Sequence, residues 1–172
     1  FRGAPYLANC IGHQTQIILC SNRQPDRIRS NKIVLLPLGA ETMSEAYSLS
    51  EEDRARQSLL QDTEALIARG ADHVPPQFAS HLLARVLFED LVHYKPSELA
   101  SIATDAWAFI QNRAPGTPKL SIQTPSDARP GSALNTISVL SILNDDMPFL
   151  VDSVMAELSE RGISAQLVAH PI

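Results

Sequence analysis

Aromatic residues make up only 5% of this 172-residue chain and charged residues 19%, against roughly 25% charged residues in an average globular domain. A core here must rest on Leu, Ile, Val and Ala, and the overall hydrophobic content of 44% is enough for one sizeable domain or two small ones. Cysteine is nearly missing: Cys10 and Cys20 both fall early in the chain. That excludes a disulfide framework and a cysteine metal site in the rest, and it suits a reducing cytoplasm. Long apolar runs are missing too. Ile17 to Cys20 and Ile33 to Leu38 are far too short to span a bilayer, and no export signal precedes them. The seven glycines include no G-x-G-x-x-G, so no phosphate-cradling turn is expected.

The net charge of -5 is unevenly distributed. Residues 1–42 carry five basic and two acidic side chains, whereas residues 43–172 carry nine and seventeen. An acidic body without a basic stripe interleaved with aromatics excludes nucleic acid as a partner and gives no reason for anionic lipid binding.

Residues 1–42 show no sustained period and mix Asn, Gln, Arg and Pro with the two apolar patches. They are expected to be upstream or poorly ordered sequence, dispensable to the fold, with Met43 as the natural start; the alternative is a short strand at Ile33 to Leu38. The chain as a whole reads as a fragment. From Ser50 the signals sharpen. Ser50 and Asp53 resemble a capping arrangement, Leu59, Leu60, Leu66 and Ile67 recur at helical spacing, and Gly70 supplies a stop, which predicts a helix over 50–69. Pro75 and Pro76 suit the first turn of a second helix with Phe78, Leu82 and Val86 as its stripe. A third helix begins near Pro96, ends before Pro115-Gly116 and buries Leu99, Ile102, Ala106, Trp107 and Ile110.

Beyond that breaker the period changes. Leu120 and Ile122 alternate with polar neighbours and predict a half-buried strand, residues 125–131 a loop, and residues 136–143 a stronger strand. A fourth helix is expected from Pro148, capped by Asp145 and Asp146, with Leu150, Val151, Val154, Met155 and Leu158 as its apolar face and Gly162 as its end. Ile163 to Ala169 is the last strand.

The run Asn144-Asp145-Asp146-Met147-Pro148-Phe149-Leu150-Val151-Asp152-Ser153-Val154 closely resembles the start of the first ACT-like domain of large bacterial NAD-specific glutamate dehydrogenases. The resemblance covers roughly residues 74–172. It extends through Leu87 to Leu91, Tyr94 to Leu99, Ala106-Trp107, Pro115 to Lys119, Ala156 to Leu158 and Leu167 to Pro171. It implies a regulatory or assembly segment near the N-terminus of a cytoplasmic, oligomeric oxidoreductase of amino-acid catabolism that oxidises L-glutamate with NAD. The catalytic residues and cofactor site of that enzyme would lie beyond Ile172. The partners implied are the rest of its own chain, fellow subunits of a homo-oligomer, and an amino acid as effector. A free-standing amino-acid-sensing or interaction module is the alternative.

The expected fold is α+β: 1–42 unassigned, 43–114 a helical N-terminal subdomain, and 115–172 a truncated ferredoxin-like, ACT-like ββαβ half-domain. A right-handed crossover would set the strands at 136–143 and 163–169 parallel, with a further strand from beyond Ile172 inserting between them. No catalytic, cofactor-binding or metal residue is expected. His73, His81 and His93 lack metal-ligand spacing, Ser153 lacks a nucleophile elbow, and Trp107 with Phe109 reads as packing. The candidate site is the effector or interface turn Asn144, Asp145, Asp146, Met147 and Phe149. ACT domains that bind amino acids usually carry glycine after the turn proline. Phe149 in that place is expected to be a buried plug, which favours assembly over ligand sensing.

Overall fold

The computed structural model describes residues 13–21, 50–111, 113–114, 116–145 and 147–170. Among these, four strands and five α-helices form an α+β fold, in the order β1 (His13–Ser21), α1 (Glu51–Gly70), α2 (Phe78–Leu82), α3 (Phe88–Leu91), α4 (Pro96–Ile110), β2 (Lys119–Gln123), β3 (Ile137–Asp145), α5 (Leu150–Glu160) and β4 (Ser164–Ala169). A 3-10 turn, Ala133–Thr136, leads into β3.

The sheet runs β2-β3-β1-β4, with every neighbouring pair antiparallel. β3 and β4 therefore lie parallel with one strand between them, as expected for a ferredoxin-like sheet. The inserted strand is β1, from residues 13–21, and not a segment beyond Ile172. Residues 13–21, expected to be unassigned or poorly ordered, are thus a strand of the sheet. The run Ile17-Ile18-Leu19 is fully buried. A strand covered on both faces shows no alternation, so the apolar run that is too short for a membrane is a central strand. Ile33 to Leu38 lies outside the described residues.

Alternation along the strands sends Ile17, Leu19, Ile137, Val139, Leu167 and Ala169 to one face. There they join Ile67, Leu83, Leu99, Ala103 and Trp107 of the helical part in a single core cluster. The residues expected to form a separate helical subdomain thus share their core with the sheet. α5 packs along β4 and adds nothing to that cluster.

Helix starts follow sequence chemistry. Ser50 and Asp53 form the capping box of α1, with the Asp53 amide donating to Ser50 Oγ at 3.0 Å and the Ser50 amide donating to Asp53 Oδ2 at 3.2 Å. The Ser50 hydroxyl also donates to Asp53 Oδ2 at 2.7 Å, and this bond, together with that from the Ser50 amide, holds the Asp53 carboxyl below its usual pKa. The second helix, expected through Val86, ends at Leu82, and Val86 lies between α2 and α3. Arg56 explains the break: its guanidinium donates to the carbonyls of Leu83, Ala84 and Val86 at 2.8 Å, so these groups are satisfied without a continuing helix. Glu64 likewise reaches from α1 to accept the Gln77 and Ser80 amides at the start of α2.

β2 departs from expectation in its facing. Leu120 is 63% and Ile122 75% exposed. They stand opposite Ile142 and Leu140 in the register, on the sheet face away from the shared core, because β2 is an edge strand whose polar alternates lie on the helix side.

Candidate functional site

β3 runs two residues further than expected, so Asn144 and Asp145 belong to the strand, and the described residues of the turn are Met147, Pro148 and Phe149. Asp145 does not cap α5. Its Oδ1 accepts a hydrogen bond from Arg113 Nη2 at 2.7 Å, and the Arg113 side chain is only 5% exposed. Asp146 lies outside the described residues.

Arg113 also donates from Nε to the Thr117 carbonyl at 2.8 Å. Beside it, Lys119 Nζ donates to the carbonyls of Phe109 and Gln111 at the end of α4 and stands 4.8 Å from the Phe109 ring centroid. Cations at a helix C-terminus are favourable, and these two tie the end of α4 to the end of β3 where the turn begins. Neither was singled out from sequence as a tether, although two cations just past a helix C-terminus are the kind of signal that would have pointed to them.

The helix N-cap is Phe149, at φ 63° and ψ 12°, with no side-chain capping bond. Left-handed backbone costs a residue with a Cβ about 1–2 kcal/mol. The side chain is carried outward rather than into the sheet: Phe149 is 75% exposed and Met147 50%. The expected plug is therefore a solvent-facing aromatic. Asn144 Nδ2 donates to Met147 Sδ at 3.0 Å, which folds the turn back on its own strand.

The strain has a measurable consequence. Phe149→Gly should raise stability by about 1 kcal/mol, because glycine takes this backbone freely and little buried area is lost. Phe149→Ala should change stability by less than ~0.5 kcal/mol, not by the loss of a buried ring. Urea midpoints of the two variants check this; a fall of several kcal/mol in either would show that the ring is packed.

The remaining sequence candidates resolve into structure. Trp107 packs edge-on against Phe78 with centroids 5.1 Å apart. His81 Nδ1 lies 2.7 Å from the Gln77 carbonyl. His73, His93 and Ser153 are exposed, and no group of three or more metal-ligating side chains occurs among the described residues. Burial pushes the Cys20 thiol pKa up, which makes it a poor nucleophile. A groove of about 710 Å³ lies between α1 and α2, but Arg56 and Glu64 in its lining are already committed to backbone groups. The residues described do not fit a dinucleotide. Gly116, Gly131 and Gly162 have positive φ, yet none leads from a strand into an α-helix, and the β3–α5 turn that does so carries Pro148 and Phe149. No described helix is long and apolar enough to cross a membrane.

Against known proteins, residues 78–172 match the profile of the family described as glutamate dehydrogenase, ACT1 domain. The NAD-specific glutamate dehydrogenase of Halomonas elongata is 34% identical over 95 residues, which is 55% of this chain and 6% of that protein. The protein of the same name from Pseudomonas aeruginosa is 29% identical over 103 residues, 58% of this chain and 6% of its own length. The chain thus spans only a small part of these curated relatives, and no solved structure matches it. The matched region holds α2 to β4, including the Arg113-anchored turn, and the chain belongs to the glutamate dehydrogenase ACT1 domain family.

Proposed function

We propose that this domain is a regulatory and assembly segment of an NAD-dependent glutamate dehydrogenase and carries no catalytic step itself. The enzyme would convert L-glutamate, NAD and water to 2-oxoglutarate, ammonia and NADH in the cytoplasm, binding NAD through residues outside this chain. Its partners would be the rest of its own chain and fellow subunits, with an amino acid as the candidate effector.

The observation that carries this reading is the β3–α5 turn. A large aromatic is held there in strained backbone and left 75% exposed, on a turn rooted through Asp145 to a nearly buried arginine. Backbone strain that the domain alone does not need is a mark of a contact made elsewhere. An exposed aromatic is a good anchor for such a contact, because it buries a large area at small entropic cost.

Two measurements test the proposal. Calorimetric titration of the 172-residue chain with NAD should show no binding, and micromolar affinity would sink the non-catalytic assignment. In the intact enzyme, Phe149→Ala should leave KM for glutamate and NAD unchanged while altering either subunit assembly or the response to amino acids. An unchanged assembly and response would remove the turn from regulation.

A further inference from the structure

We propose that Arg113 is the latch of a two-state turn: while it holds Asp145, Phe149 is kept in left-handed backbone with its ring outward, and release of Asp145 returns residue 149 to right-handed backbone and redirects the ring. This deepens the regulatory half of the function proposed above, and its consequence for the enzyme rests on that reading.

The strain at Phe149 has its source in the length of β3. The strand runs to Asp145, opposite His13 of β1, and α5 begins at Leu150. The two residues by which β3 exceeds its expected end are taken from the connection. Within that connection Pro148 has a fixed φ and confines Met147 to extended backbone. Neither can supply the sharp bend into the helix, so it falls on Phe149, at φ 63°. A connection longer by Asn144 and Asp145 has room to enter α5 without left-handed backbone.

Besides the pairing with His13, Arg113 keeps β3 at that length. Its Nη2 lies 2.7 Å from Asp145 Oδ1; the Arg113 side chain is 5% exposed, whereas that of Asp145 is 50% exposed. A nearly buried cation thus holds a carboxylate that otherwise faces solvent, and the bond from Arg113 Nε to the Thr117 carbonyl at 2.8 Å fixes the guanidinium plane. The latch is seated on the helical part. α4 ends at Ile110, and Lys119 binds the carbonyls of Phe109 and Gln111 beside it. A charge-assisted hydrogen bond and the strain of one left-handed residue are of similar size, so the two arrangements lie close enough in energy for a contact at the ring, or a shift at the end of α4, to choose between them.

The test is a pair of double-mutant cycles read by urea midpoints of the 172-residue chain. In the wild-type background Phe149→Gly should strengthen the folding equilibrium about fivefold, the factor that corresponds to relief of left-handed strain. In Asp145→Ala, and independently in Arg113→Lys, which lacks the fork to span Thr117 and Asp145 at once, the same change should gain less than about twofold, because the released turn has already relaxed. Asp145→Ala alters a half-exposed side chain and is expected to fold, so it carries the test if Arg113→Lys does not unfold cooperatively. Backbone couplings measured by NMR read φ at residue 149 directly, and in Asp145→Ala that angle should leave the left-handed region. Equal gains from Phe149→Gly in every background, no gain in wild type, or a φ that stays positive in Asp145→Ala each overturns the latch. Those outcomes leave the role of Phe149 in the intact enzyme standing, whereas an intact Phe149→Ala enzyme with unchanged assembly and response removes the regulatory reading without altering the cycles.

Discussion

A chain beginning at Met43 should lose its cooperative unfolding transition rather than emerge as a trimmed, stable domain. Such a chain lacks β1, which pairs with β3 along its whole length and with β4 on its other side. Ile17, Ile18 and Leu19 are fully buried, and burying each such side chain contributes about 1.5–3 kcal/mol. Their sum is comparable to the whole stability of an ordinary domain, about 5–15 kcal/mol, before any sheet hydrogen bond is counted. Removal would also open the inner edges of β3 and β4. The point variant Ile18→Asp should act in the same direction, costing more than about 4 kcal/mol, because it buries an unpaired carboxylate. Circular dichroism through a urea titration reads both. A Met43 chain with an unchanged midpoint would mean that another segment fills the slot between β3 and β4.

The second large effect belongs to Glu98, which is 3% exposed. Its Oε2 accepts the Lys95 amide at 2.8 Å, and its Oε1 accepts Ser132 Oγ at 2.6 Å and the Ala133 amide at 2.8 Å. One carboxylate thus caps α4 and clamps the loop between β2 and β3 to the helices. Glu98→Ala strands three donors and should cost about 3 kcal/mol at neutral pH, hydrogen bonds to a charged acceptor being worth about 1.5–3 kcal/mol each in favourable cases. Burial alone would raise the pKa of this carboxyl. The hydrogen bonds from Lys95, Ser132 and Ala133 outweigh that and hold it below the ordinary 4.5. A depressed folded-state value means that the stabilisation is complete above the unfolded value and is lost as pH falls through the folded one. The gap between wild type and Glu98→Ala should therefore be full at pH 7 and shrink progressively below about pH 4.5. A gap independent of pH would show that the carboxylate charge is not what the loop is clamped by.

The elements with local chemistry were legible in the sequence. The Ser50–Asp53 box, Pro96 at the start of α4 and Gly162 after α5 are each fixed by groups within a few residues, and the helices begin or end there. What escaped depends on distant partners. Arg56 satisfies the Leu83, Ala84 and Val86 carbonyls just past the end of α2 from some thirty residues away. Arg113 takes Asp145 away from helix capping across a similar distance. β1 was hidden for a related reason: Ile17-Ile18-Leu19-Cys20 has no period, and only the sheet that encloses it gives the run a meaning. A strand-to-helix turn after β3 was legible, but its aromatic was misplaced, because the left-handed backbone of Phe149 is not written in the residue that adopts it. Glycine or asparagine would have announced that conformation; phenylalanine conceals it.

The pairing of β1 with β4 also sets an order of events during synthesis. The first described strand to leave the ribosome cannot find either neighbour until β3 and then β4 have followed, after all the helices that share its core. Contact order is correspondingly high, and sheet closure should be the slow step, on the order of milliseconds to seconds, after the helical segments have formed. Until then an Ile-Ile-Leu-Cys segment stands unpaired on the nascent chain. It is the stretch a chaperone would be expected to hold, and the first to seed aggregation when none does.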